Sequence, residues 1–410
     1  MLNPNKTKRR DFDPSAAGKG TAGVLPTIPD IDSALVTLDA ATWQAMEYEY
    51  HHGREKGQTT SNKYLDPYFK WMPGYTSVIT GWPGHGKSQL FFELLLLRAV
   101  FDGKKSVVWP SENLPAKRFY QGLIHTLTGR PGDKSQANHL SLPEYKRAAD
   151  FVREHFILIS PLTGMPYTPG HMLAYCERAI AQYGGAEAKG GIAHCMLDPW
   201  NKQDHSGKMK LGGDEGYLMH AVGLCTKWSQ DTNQCLILTA HPKRLSDLDF
   251  GKTRPVPDGA SISGGQIWEN MPHYIGAMHR PFKHIPGNTE AAFYSHKCKD
   301  ERYVAKLGSV GAHGPDGLPP MVPIHWDEIT NRYRWGHERW SPLQDELAAK
   351  VYASPTAAPP AQLFTGNGQP TQAAALRTST TPGAGFEAEA SGEVPTERFG
   401  PRTITSADLR

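Results

Sequence analysis

The chain has 410 residues, of which 39% are hydrophobic, and its 44 Lys and Arg nearly balance 41 Asp and Glu for a net charge of +3. Length allows two or three domains, and so slight a positive balance leaves polyanion binding to local clusters rather than to the whole surface. Five cysteines without a CxxC pair (Cys176, Cys195, Cys225, Cys235 and Cys298) exclude a disulfide scaffold and a zinc ribbon. They point to a reducing, cytoplasmic setting. No run of 18 apolar residues occurs, and no apolar segment follows the basic Lys6–Arg10 stretch, which excludes membrane and secreted classes.

In chain order, residues 1–38 are polar, basic and rich in Pro, Gly and Ala, and are expected to be a disordered tail. Residues 39–63 form a linker helix and connector. Trp43, Met46 and Tyr50 share one helical face, suited to packing on the core or on a neighbouring subunit. From 64 to 340 the pattern is β-α-β. Strands are expected at Ser77–Thr80, Ser106–Trp109, Phe156–Ser160, Ala193–Leu197 and Leu236–Thr239. Helices are expected at Ser88–Asp102, Ala116–Leu127, Leu142–His155, His171–Tyr183 and Asp214–Gln230. This alternation predicts an α/β fold with a parallel central sheet and helices on both faces. Short β-like runs at His273–His279, Ala291–Lys297, Tyr303–Leu307, Pro323–Trp326 and Arg332–Trp335 read as hairpins added at the sheet edge. Residues 341–410 turn to Pro, Ala, Thr and Gly, and are expected to be a second disordered tail.

Gly81-Trp82-Pro83-Gly84-His85-Gly86-Lys87-Ser88 fits G-x-x-x-x-G-K-[ST], with a strand before it and an apolar helix opening through Gln89 after it. The glycines let backbone N–H groups turn inward around phosphates, and the helix start adds its positive dipole end. Lys87 supplies charge for the β- and γ-phosphates and Ser88 a hydroxyl ligand for Mg²⁺, which makes ATP and Mg²⁺ the expected cofactors.

In a parallel sheet, ligands bind beyond the carboxyl ends of the strands. Three polar residues stand there. Glu112 follows the second strand, where a carboxylate can polarise an attacking water. Asp198 ends the fourth, in the Walker-B position that holds Mg²⁺. His241 follows the fifth, where it can sense the γ-phosphate. Two basic loops come next. One carries Lys202, Lys208 and Lys210. The other carries Lys243, Arg244, Lys252 and Arg254, and ends in Ser263, Gly264 and Gly265. Lysines on glycine-rich loops suit sequence-independent contacts to single-stranded DNA.

Taken together, Asp66, Pro73–Gly81 and Lys87-Ser88, Ser111-Glu112-Asn113, Asp198-Pro199-Trp200-Asn201, Ala240-His241-Pro242 and Ser263–Asn270 resemble the ATPase domain of ring-shaped replicative DNA helicases. These are the DnaB type and the helicase half of phage and Twinkle-like primase–helicases. The resemblance runs from about Tyr64 to Trp335. It implies a RecA-like P-loop core, a homo-oligomeric ring of hexameric kind on single-stranded DNA, and ATP shared between subunits. The family's late-strand Lys-x-Arg pair acts in trans; here Lys297 takes the Lys place, Lys299 the finger place, and Arg302 lies three residues on. About 60 residues precede the core, too few for a primase, so priming would come from a separate protein, with a loader or polymerase as further partners. The rival from the same fold class is a recombination ATPase forming filaments on DNA. A third reading is a binding protein that keeps ATP as a structural ligand.

Overall fold

The alternation of β-branched runs with apolar helices builds one ten-stranded sheet. The computed structural model describes residues 37–54, 56–211, 213–243, 254–344 and 347. All of these fall within one unit of the chain. After an N-terminal helix α1 (Ala40–His52) come β1 (Thr76–Thr80), α2 (Lys87–Asp102), β2 (Lys105–Pro110), α3 (Ala116–Thr128), α4 (Leu142–His155), β3 (Phe156–Leu158), α5 (Pro169–Tyr183) and β4 (Ile192–Asp198). Then follow α6 (Asp214–Thr232), β5 (Cys235–Ala240), α7 (Gly265–Asn270), β6 (Tyr274–His279), β7 (Glu290–Cys298), β8 (Gly308–Val310), β9 (Ile324–Asp327) and β10 (Arg332–Trp335). The order across the sheet is β10-β9-β7-β6-β1-β5-β4-β2-β3, with β8 paired to β7.

The six strands from β3 to β6 run parallel, and β1 sits near their middle, bonded to β5 on one side and β6 on the other. Its five residues are all buried. Alternation sends successive side chains to opposite faces. Ile79, Val108, Met196 and Ile237 join the core under α2, α3 and α4. Val78, Val107, Leu197 and Leu238 join the core under α5 and α6.

Three expectations change. His273–His279 was expected as part of an edge hairpin, but β6 pairs in parallel with β1, and the antiparallel additions begin at β7. Tyr303–Leu307 is not a strand. Tyr303 and Val304 donate their N–H groups back to Asp300 in a turn, and the ladder resumes at β8. The core also passes the expected limit at 340, because Ser341 and Leu343 are buried and Leu343 joins the α2–α4 core. At the other end, Asp39 caps α1 by accepting from the Thr42 N–H at 2.7 Å. No residue of α1 is buried, so Trp43, Met46 and Tyr50 do not pack on this chain's core. The connector does: Gln58 bridges to Trp71, and Thr60 and Asn62 are buried. The expected tails, 1–36 and nearly all of 345–410, lie outside the described residues.

Candidate functional site

The loop from β1 to α2 turns through Gly81, Gly84 and Gly86, all at positive φ. Gly86 is the most constrained of them. It caps α2 in the left-handed region at φ 88°, and a Cβ there would collide with the Tyr333 hydroxyl. Only glycine fits both demands. Lys87 and Ser88 therefore open α2 with the loop's backbone curled in front of them.

The Lys87 ammonium is buried. It donates to Gly81 O at 2.8 Å and meets His241 Nδ1 at 3.1 Å. Burial draws its pKa down to about 8, while Asp198 and then Glu112 pull the other way. An ammonium that donates to Nδ1 leaves the imidazole proton on Nε2. That nitrogen lies 3.7 Å from Glu112 Oε1. The His241 backbone N–H is fixed in turn by Asn201 Oδ1 at 2.7 Å. Burial first, and then the Lys87 charge, hold the His241 pKa below its ordinary value, so the ring is neutral. Lys87, His241 and Glu112 thus form one line from the phosphate loop to the half-exposed carboxylate.

Asp198 ends β4 fully buried. One oxygen accepts from the Thr239 hydroxyl, and the other, Oδ2, has no protein partner. Burial raises its pKa, opposed by the hydroxyls of Thr239 and then Ser88. A buried carboxylate oxygen left without a partner beside a helix-opening hydroxyl fits a divalent cation. Among the described residues no cluster of three or more His, Cys, Asp or Glu could hold a metal. An ion at Ser88 and Asp198 would therefore complete its shell with phosphate and water oxygens.

These groups open onto a cavity of about 350 Å³. Gly84, Gly86, Lys87, Ser88, Gln89, Glu112 and His241 line it, as expected. Its remaining walls come from residues without a motif: Phe92, Arg118 and Phe119 from α2 and α3, Arg280 just past β6, and Trp326 and Tyr333 from the β9–β10 hairpin. Flat rings and a guanidinium opposite a phosphate loop suit a nucleobase. The signal was an aromatic hairpin at the far end of the chain, readable only once the sheet is closed. His85 is turned away from the loop's mouth. Its Nδ1 accepts from the Arg280 N–H at 3.0 Å, and burial, then His279, drive its pKa to about 3.

The basic loops leave the same carboxyl edge. Lys202 is exposed, and Lys208 pairs with Asp214 at 2.8 Å. The Lys243 N–H donates to Ser261 O at 2.7 Å, and the Arg254 guanidinium lies 5.1 Å from the centre of the Trp82 ring. Ser263 and Gly264 are exposed just before α7. Arg244, Lys252 and the side chain of Lys210 lie outside the described residues. The three candidates for action in trans stand elsewhere. β7 runs antiparallel, with Cys298 opposite Tyr274 at the start of β6, so Lys297, Lys299 and Arg302 sit at the sheet edge opposite the phosphate loop. Lys297 Nζ donates to Glu269 O and Asn270 O, the Lys299 N–H donates to His273 O, and the Arg302 guanidinium lies 5.8 Å from the Tyr303 ring centre. None of the three lines the cavity of its own chain.

No protein-family model matches the chain. Among curated proteins, a Twinkle homolog protein, chloroplastic/mitochondrial, from Arabidopsis thaliana is 25% identical over 228 residues, which is 54% of this chain and 30% of that protein. The chain thus matches less than a third of that relative's length. Among solved structures, the isolated ATPase domain of a DnaB-like helicase is similar with a TM-score of 0.52 at 12% identity, covering 75% of this chain and 99% of that one. A second DnaB-like replicative helicase, solved in a study of its interactions with primase, is similar with a TM-score of 0.52 at 11% identity, covering 73% of this chain and 66% of that one. The fold is that of the RecA-like P-loop ATPase domains of DnaB-like helicases, and the resemblance seen in the motifs holds at that level. Among the described residues no helix is long and apolar enough to cross a membrane.

Proposed function

We propose that this chain is the ATP-hydrolysing motor of a replicative DNA helicase, acting as a homo-oligomeric ring on single-stranded DNA and relying on a separate primase. The observation that carries the reading is the convergence of Lys87, Ser88, Asp198, Glu112 and His241 on one cavity, with the Ser263–Gly265 loop leaving the same sheet edge. The backbone of Gly84–Ser88 and the Lys87 ammonium bind the β- and γ-phosphates. Mg²⁺, held by Ser88 and Asp198, supplies charge screening on the phosphate oxygens when bound. Glu112 takes the proton of the attacking water as the water's oxygen bonds to the γ-phosphorus and the bond to the ADP oxygen breaks. His241, set between Lys87 and Glu112, holds that carboxylate in line and registers the departure of the γ-phosphate. The cation that completes the site comes from a neighbouring subunit, from Lys297 with Lys299 or Arg302.

Glu112→Gln tests the chemistry. Nucleotide binding should persist while turnover falls at least about a hundredfold, the loss expected for a missing general base. Loss of nucleotide affinity instead would remove Glu112 from that role. Negative-stain images with single-stranded DNA and ATP test the assembly. Rings support the helicase reading, and filaments would assign the chain to recombination ATPases.

A further inference from the structure

Three fastenings join the nucleotide cavity to the segment from Arg254 to Asn270, and each attaches beside a residue that faces phosphate or metal. The first is Trp82, a variable position of the phosphate loop. Its indole is buried, and Nε1 donates to Pro255 O at 2.9 Å while the Arg254 guanidinium lies over the ring. The Trp82 carbonyl, in turn, lies 3.5 Å from the Lys87 ammonium. The second is the stretch after His241, where Pro242 bridges to Ile262. The third is Trp200, two residues past Asp198. Its ring meets Trp268 edge to face at 5.2 Å and 90°, and Trp268 Nε1 donates to Ser263 O at 2.8 Å.

A phosphate-loop motif leaves the residue at position 82 open, and a tryptophan there has no phosphate to contact. What it contacts is the start of the segment that ends in the exposed Ser263 and Gly264. Bound phosphate competes for the Lys87 ammonium with Gly81 O, Trp82 O and His241 Nδ1, so it changes the load on the Trp82 peptide and on His241 together. A rigid indole bonded to Pro255 transmits that change over its own width. Arg254 is a cation suited to a DNA phosphate, and here it is spent on the Trp82 face. We propose that Trp82 and the Trp200–Trp268 pair are positioning residues that couple the nucleotide's phosphate state to the grip of the Arg254–Asn270 segment on single-stranded DNA, with Arg254 exchanged between the Trp82 ring and the DNA backbone. This rests on the helicase reading above.

The test uses the full chain, a labelled oligothymidylate, and the ratio of its affinities in a non-hydrolysable ATP analogue and in ADP. For the unaltered protein the ratio should differ from one by at least about fivefold, the lower range of measured couplings. Trp82→Phe keeps a ring and loses the N–H to Pro255; Trp268→Phe does the same toward Ser263; Arg254→Gln removes the cation. Each should bring the ratio to within about twofold of one while the melting transition stays cooperative. Arg254→Lys should restore part of it, and the Trp82→Phe, Arg254→Gln double variant should lose no more than the stronger single, because both act in one contact. Variants that weaken DNA binding equally in both nucleotides, with the ratio intact, would overturn the coupling and leave the helicase reading standing. An unaltered protein whose ratio is one would do the same. An unaltered protein that binds no oligothymidylate in either nucleotide would overturn both.

Discussion

The Lys87 ammonium is held by protein acceptors in the place where phosphate must take it, and burial has already lowered its pKa to about 8. A lysine with a depressed pKa keeps its charge below that value and loses it above. Affinity for a nucleoside triphosphate should therefore fall as pH rises through about 8, approaching tenfold per unit beyond it. Calorimetric titration between pH 7 and 9.5 checks this, and a flat profile would place the phosphate charge on another group. At this scale much was legible. The eight residues of the phosphate loop are contiguous, so their chemistry is written locally. Glu112, Asp198 and His241 are far apart in sequence, but each ends a parallel strand, and parallel strands deliver their ends to one edge. Arg280, Trp326 and Tyr333 carry no such address. They reach the cavity only because β7 to β10 fold back antiparallel across the sheet.

Among the elements, the β9–β10 hairpin bears most directly on the site, since it is latched to the helices that frame the cavity. The Tyr333 N–H donates to Glu93 Oε2 on α2 at 2.9 Å, and Gln89 Nε2 donates to Asn331 O at 2.9 Å. Arg332, fully buried, donates to Thr126 O and Leu127 O at the end of α3, each at 2.7 Å, and to Leu343 O. Arg332→Leu would strip a donor from those three carbonyls at once. Leaving a buried acceptor unpaired costs about 1–3 kcal/mol, so the variant should lose at least about 3 kcal/mol of stability. Because Trp326 and Tyr333 ride on the same hairpin, nucleotide affinity should weaken alongside. Chemical denaturation and nucleotide titration of the variant check both; unchanged stability would show that the latch is not what seats the hairpin. The element pattern was readable wherever strand and helix alternate. It failed at Tyr303–Leu307, where hydrophobicity marks residues packed under a turn, and at α1, where an apolar stripe on one helical face finds no partner in this chain.

The whole molecule carries an unusual load of buried imidazoles. His194 is fully buried against Trp71, with a ring-centre distance of 4.4 Å, and burial, then Arg98 and Lys104, push its pKa well down. His273 and His279 are driven mainly by burial to about 4, and His85 to about 3. These rings are neutral in the fold and titrate near 6.5 once unfolded. Their folded pKa values are depressed, so the unfolded chain binds more protons, and the stability present above about pH 6.5 is lost as pH falls toward 4. Two carboxyl groups oppose this. Burial raises Glu93 to about 7 and raises Asp198, and a folded pKa above the unfolded one adds stability as pH falls. Four strongly lowered imidazoles outweigh two raised carboxyls, each shifted group changing stability by about 1.4 kcal/mol per pH unit inside its window. The melting temperature should therefore drop between pH 7 and pH 5, and His194→Phe, which keeps a ring against Trp71 and cannot be protonated, should make the drop shallower. Thermal melts of both proteins at half-unit steps decide it: if the two curves stay parallel across that window, His194 is not among the groups that unfold the protein in acid.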